Sequence, residues 1–209
     1  MNRKQVGILT FEHVEVLDFC GPFEVFSVTR LNEDKRREEL SPFNVFLVAE
    51  TKKPVAATGG MKVLPDYDLD DCPQLDVLVV PGGWGTRKEM NNERLLRWIA
   101  DRSRQVETLT SVCTGSLLLG KAGLLDGKRA TTHWRSLDWM QELFPKTTVE
   151  RQLHFVEEGT LFTSAGISAG IDMSLKVVAR HCGEAIARAT AKHMEYPFPD
   201  SNARRIALA

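Results

Sequence analysis

No stretch of this chain is apolar over the ~20 residues that a membrane-spanning helix requires, so a transmembrane segment is not expected. Charge of one sign is equally lacking. The 27 Lys and Arg stand against 28 Asp and Glu, a formal net charge of -1. Without a long-range field, neither nucleic acid nor an anionic membrane surface is an expected partner. The one dense charge run, Asn32 to Glu39, alternates in sign and reads as a solvated helix end or loop. Cysteine is sparse and irregular: Cys20, Cys72, Cys113 and Cys182 form no CxxC and no disulfide framework. No two histidines are spaced as metal ligands and no HExxH occurs. No metal or other cofactor is expected. The N-terminal segment begins basic, but Glu12, Glu15 and Asp18 interrupt its apolar part. It reads as a buried strand and its exit loop, not as a signal peptide. The cytoplasm is the expected location, with free thiols.

What is present is an ordinary globular composition, 43% apolar and 26% charged over 209 residues, enough for one domain with a real core. Internal repeats and low-complexity tracts are absent. Short apolar runs alternate with amphipathic stretches. Val6–Thr10, Asn44–Ala49, Val77–Val80, Glu107–Ser111 and Leu161–Thr163 read as strands. Val55–Ala57 and Met61–Leu64, around Gly59-Gly60, read as a small hairpin on the sheet edge. Helices are expected over Pro22–Leu31, Glu93–Ser103, Ser116–Ala122, Leu137–Phe144, Ile171–Cys182 and Glu184–His193. Continuously apolar strands are buried on both faces, which implies a parallel sheet covered by helices. A single α/β domain over residues 1–195 follows, with 196–209 as a tail packed on the surface or on a partner.

In such sheets the site lies beyond the carboxyl ends of the strands. Three chemically loaded segments fall there: the loop with Asp18, Pro81-Gly82-Gly83, and Cys113. Cys113 stands between a strand and a helix, followed by Thr114, Gly115 and Ser116. A residue there occupies a sharp turn with its side chain raised above the sheet, the device of a nucleophile elbow. The helix N-terminus beneath it is expected to lower the thiol pKa and favour the thiolate, the attacking species. The other three cysteines read as structural, with Cys20 of interest only for its closeness to Asp18.

Asp18 precedes an expected helix start, where a carboxylate commonly caps backbone N–H groups. Flanked by Leu17 and Phe19 and set near a thiolate, it would alternatively be desolvated and hold a proton at neutral pH. Glu24, the competing carboxylate, lies inside the helix. Gly82 and Gly83 present backbone N–H groups that could face developing negative charge, with Thr114 N–H as a further donor. His133 is the histidine most suited to line the crevice, with Trp84 or Trp134 closing it. His13, His154, His181 and His193 read as surface or helix residues.

The segments 16–26 (VLDFCGPFEVF), 77–87 (VLVVPGGWGTR), 110–134 and 163–175 (TSAGISAGIDMSL) together resemble the ThiJ/PfpI superfamily, of the class I glutamine amidotransferase-like fold. The likeness runs through essentially the whole chain. It is strongest to the subgroup that holds isocyanide hydratases and the N-terminal domains of certain AraC-type regulators. The resemblance implies a flavodoxin-like three-layer α/β sandwich, usually a homodimer, with Cys113 as nucleophile and Asp18 as its acid partner. It also places Gly83 and Thr114 at an oxyanion site. The superfamily's PfpI proteases carry His directly after the nucleophile, where this chain has Thr114. The regulators add a DNA-binding domain that would follow Ala209 and is not expected here. Three functions follow as alternatives: hydration of an isocyanide to an N-substituted formamide, a glyoxalase-type or other cysteine-dependent reaction of small carbonyl compounds, and non-catalytic sensing of small molecules or oxidants.

Overall fold

The computed structural model describes residues 3–208. The chain opens with β1 (Lys4–Leu9), whose last four residues are buried, and passes into α1 (Val16–Val28). Next come β2 (Phe43–Ala49), the short strands β3 (Val55–Ala56), β4 (Lys62–Val63) and β5 (Tyr67–Asp68), and β6 (Val77–Val80). After these lie α2 (Thr86–Glu89), α3 (Glu93–Ser103), β7 (Thr108–Val112) and α4 (Gly115–Lys121). β8 (Arg129–Ala130), α5 (Leu137–Leu143), β9 (Thr148–Val149), β10 (Phe155–Glu158) and β11 (Leu161–Ser164) lead to α6 (Ala169–Cys182) and α7 (Glu184–His193).

Seven strands form the central sheet in the order β10-β11-β7-β6-β1-β2-β5. All neighbours run parallel except β10, which pairs antiparallel with β11. β6 and β7 are buried at every position, because helices cover both faces. On one side α1, α6 and α7 pack together, and on the other α2 and α3 pack on α4. The alternating pattern implied a parallel sheet covered by helices, and the family resemblance implied this flavodoxin-like form of it.

Several boundaries differ from the sequence expectation. Helix α1 begins at Val16, well before Pro22, and Pro22 sits inside it. Proline lacks the N–H that would bond the carbonyl four residues back. Burial of Phe19, Val25 and Phe26 against the core outweighs that loss. The β3–β4 hairpin is a separate ladder and not an edge of the main sheet. It rests on the loop after β1, through His13 N–H to Ala56 O at 2.8 Å and Thr58 N–H to Val14 O at 2.9 Å. The Asn32–Glu39 run is an exposed turn around one short 3-10 segment, Glu33–Lys35.

The segment after Tyr196 folds back on its own chain. Leu153 and Ala203 form an antiparallel bridge. Arg204 donates from Nε to Arg151 O at 2.7 Å and from Nη2 to Thr131 Oγ1 at 3.0 Å. Among the described residues, no helix is long and apolar enough to cross a membrane.

Candidate active site

Cys113 is the residue at which β7 breaks into α4. Its φ is +56°, a left-handed conformation costing a non-glycine residue ~1–2 kcal/mol. The surroundings hold it there. Its N–H faces Ser164 O and Ala165 O, each at 3.2 Å. Its carbonyl accepts from Thr132 Oγ1 at 2.9 Å and Ser116 Oγ at 3.1 Å. Gly115 is required at the turn, since a Cβ there would run into the carbonyl oxygens of Val80 and Pro81. The result is a sharp strand-to-helix elbow at the carboxyl end of β7, with Cys113 6% exposed.

Asp18 lies in the first turn of α1, three residues past the N-cap position Glu15, and is fully buried. It does not cap the helix. Its Oδ2 accepts the Gly82 N–H at 2.9 Å. Its Oδ1 has no hydrogen-bond partner of ordinary geometry; the Cys113 thiol is the side chain that interacts with the carboxyl group. Burial raises the Asp18 pKa to about 8, against the pull of the Gly82 hydrogen bond, and the nearby Glu15 charge adds to the rise. Asp18 therefore holds its proton through much of the neutral range.

The thiol departs from the sequence expectation. Burial, and then the Asp18 charge, push Cys113 well above the usual thiol range, although the Thr114 N–H and hydroxyl pull it down. Desolvation outweighs the helix N-terminus. Cys113 and Asp18 thus form a close pair that resists carrying two negative charges.

The two glycines are also corrected. Gly82 N–H is committed to Asp18, and Gly83 N–H donates to Thr114 Oγ1 at 3.0 Å. Neither is left over for an oxyanion. Their role is steric and conformational. A Cβ on Gly82 would press on Thr114 N and Oγ1, and Gly83 takes a φ of +127° beside the His13–Glu15 backbone. Thr114 N–H is the donor that does face the sulfur.

A cavity of about 430 Å³ opens over Cys113 and Thr114. Gly83, Trp84 and His133 line it as anticipated; Trp134 does not, and Trp139 of α5 takes that place. His133 Nδ1 accepts the Arg135 N–H at 3.3 Å, which leaves the proton of the neutral ring on Nε2. Burial, with Arg135 and Arg204 nearby, lowers the His133 pKa, so the ring is neutral at pH 7. Gly166 lies between it and Cys113. A Cβ there would collide with the His133 ring and lie 3.2 Å from Cys113 Sγ.

Glu15, Arg87, Arg135, Ser136 and Ile167 complete the wall and were not singled out from sequence. Arg87, Gly166 and Ile167 do fall inside the family-like segments 77–87 and 163–175. His154 is another correction: it is 7% exposed and outside any helix, with Nε2 2.8 Å from the buried Asp172 Oδ2 though not at a hydrogen-bonding angle. His181 lies on α6 and shares a hydrogen bond with Thr108 Oγ1 at 2.9 Å.

A parallel α/β sheet with a cysteine elbow and a buried acid beside it defines a class of cysteine-centred α/β proteins. Within that class the chain belongs to the DJ-1/PfpI family, whose sequence profile matches residues 4–180. It is 39% identical over 196 residues to an isonitrile hydratase of Pseudomonas putida, covering 93% of this chain and 80% of that one. It is 34% identical over 195 residues to the HTH-type transcriptional regulator GbdR of Pseudomonas aeruginosa, of which it spans about half, 51%. Among solved structures, a ThiJ/PfpI family protein from Pseudomonas syringae superposes with a TM-score of 0.82 at 32% identity, over 97% of this chain and 79% of that one. Drosophila melanogaster DJ-1beta shares the fold, with a TM-score of 0.77 at 20% identity over 94% of this chain and all of that one.

Proposed function

We propose that this chain is a cysteine-dependent hydratase of a small electrophile, and that the electrophile is an isocyanide. The observation that carries the reading is the Asp18–Cys113 pair at the floor of a cavity, in a chain 39% identical to an isonitrile hydratase. The pair supplies what the reaction needs. When the pair holds a single proton, transfer of that proton from the Cys113 sulfur to the Asp18 carboxylate generates a thiolate beside a carboxylic acid. The sulfur forms a bond to the terminal carbon of R–NC, and the Asp18 proton goes to the same carbon, giving R–N=CH–S–Cys113. Water then adds its oxygen to that carbon. One of its protons ends on nitrogen and the other returns to the pair as the C–S bond breaks. The product is R–NH–CHO, and the pair regains its starting state. In this scheme Thr114 N–H steadies charge near the sulfur. His133, neutral, offers Nε2–H to substrate or water.

The test is formamide production from an alkyl isocyanide, followed by chromatography, with Cys113→Ala and Asp18→Ala as controls. Absence of turnover with aliphatic and aromatic isocyanides at millimolar concentration removes the reading.

A second reading is favoured by the regulators among the relatives: a domain that binds a small molecule at the same cavity without turning it over. Saturable isocyanide binding without formamide supports it. The assembly implied by the family resemblance is a homodimer, which sedimentation measures directly.

A further inference from the structure

The cavity wall holds two guanidiniums that the reaction scheme does not use. Arg87 lies 4.3 Å from the Trp84 ring centroid and 5.3 Å from that of Trp139. Arg135 lies 4.8 Å from the ring of Trp134. Stacking on indoles engages the flat faces of a guanidinium and leaves its N–H edges available to a planar acceptor. Neither side chain has a hydrogen bond or ion pair to any described residue. Elsewhere in the chain Arg36, Arg94, Arg129, Arg151, Arg180 and Arg188 all pair with carboxylates. The opposing charge in the wall is small. Glu15 is its one carboxylate and forms no ion pair with either arginine. Asp18 lies behind Cys113 and is fully buried, and His133 is neutral at pH 7.

We infer that this cavity selects a substrate bearing a carboxylate, with Arg87 and Arg135 as its binding residues and the electrophilic carbon directed at Cys113. The inference rests on the proposed reaction only for the identity of the electrophile. The anion preference belongs to the cavity itself. The two indoles beside Arg87 add apolar surface, so a compact organic acid fits better than an inorganic anion.

The experiment compares two alkylating agents of similar size and opposite suitability, iodoacetate and iodoacetamide, on the full chain. Peptide mass spectrometry reads the rate at Cys113, with half-buried Cys20, outside the cavity wall, as internal reference. The expected result is an iodoacetate-to-iodoacetamide ratio at Cys113 at least ~10-fold above that at Cys20, on the scale of one charge-assisted contact. In the Arg87→Met/Arg135→Met variant the ratio returns to that of Cys20. Equal ratios at the two cysteines in the unmodified chain, or a ratio unmoved by the double substitution, overturn the inference. Should Cys113 resist both reagents, tryptophan fluorescence during titration with benzoate and with benzamide reads the same preference: binding of benzoate alone supports it, and equal or absent binding overturns it. Neither measurement requires turnover, so failure of the hydratase assay and failure of anion selection are told apart. If hydration is observed, kcat/KM for isocyanoacetate against its ethyl ester gives the third readout, with the acid expected to be preferred at least ~10-fold.

Discussion

Gly82 donates its N–H to Asp18 Oδ2 at 2.9 Å, and that one bond ties the β6 loop to the first turn of α1. It holds the carboxyl group in place while the other oxygen stays free of ordinary partners beside the Cys113 thiol. Residues 18, 82 and 113 come from three separate segments, and the carboxyl group and the thiol meet only through this arrangement.

The raised Asp18 pKa has a consequence for stability. The unfolded residue ionises near 3.8 and the folded one near 8. Between those values the unfolded chain holds fewer protons, so stability falls as pH rises through that window, and the effect vanishes below about pH 4. Asp18→Asn cannot ionise and loses this dependence. Thermal unfolding from pH 4 to 9 is the check; parallel curves for the two proteins contradict the assignment.

The left-handed backbone at Cys113 sets up a comparison of two variants that lack the thiol. Glycine adopts φ of +56° without strain, whereas alanine does not. Cys113→Gly is expected to be about 1 kcal/mol more stable than Cys113→Ala, the reverse of their usual order within a strand or helix. Paired denaturant titrations decide it.

Gly166 is the point where the His133 ring and Cys113 Sγ come together. Gly166→Ala inserts a methyl group between them, and His133 is the side chain able to move. Activity is expected to fall at least ~10-fold, the effect of a small misplacement at a reacting centre, with little change in midpoint of unfolding. A variant of full activity shows that the His133 position is irrelevant to the chemistry.

Arg204 reaches from the C-terminal segment to Thr131 and Thr132, and Thr132 in turn bonds the Cys113 carbonyl. Arg204→Ala removes charge-assisted bonds to the loop that carries His133, a loss of ~1–3 kcal/mol. A lowered melting temperature is expected together with a raised His133 pKa, since Arg204 is one of the charges that depress it. Histidine NMR titration reads the second effect, which a purely global destabilisation would not produce.

Much of this protein is set by local chemistry. The wholly apolar run Val77–Val80 is a strand buried on both faces, and the step from β7 to α4 turns sharply where Gly115 leaves room for the Val80 and Pro81 carbonyls. Helices α3 and α7 begin and end where their residue patterns indicate. Local chemistry left Asp18 open between a helix cap and a desolvated acid, and only the family resemblance favoured the acid. The helix around it was not, because Pro22 marks a helix start locally while the core, through Phe19 and Phe26, extends the helix past it. Tertiary contact alone decided the state of the site. Burial raises the Cys113 thiol where its helix N-terminus pointed the other way. The Gly82 and Gly83 N–H groups are consumed by Asp18 and Thr114. Trp139, and not Trp134, faces the cavity beside Arg87. Desolvation, hydrogen-bond partners and wall composition depend on residues far apart in the chain, and they exist only once the sheet has brought those segments together.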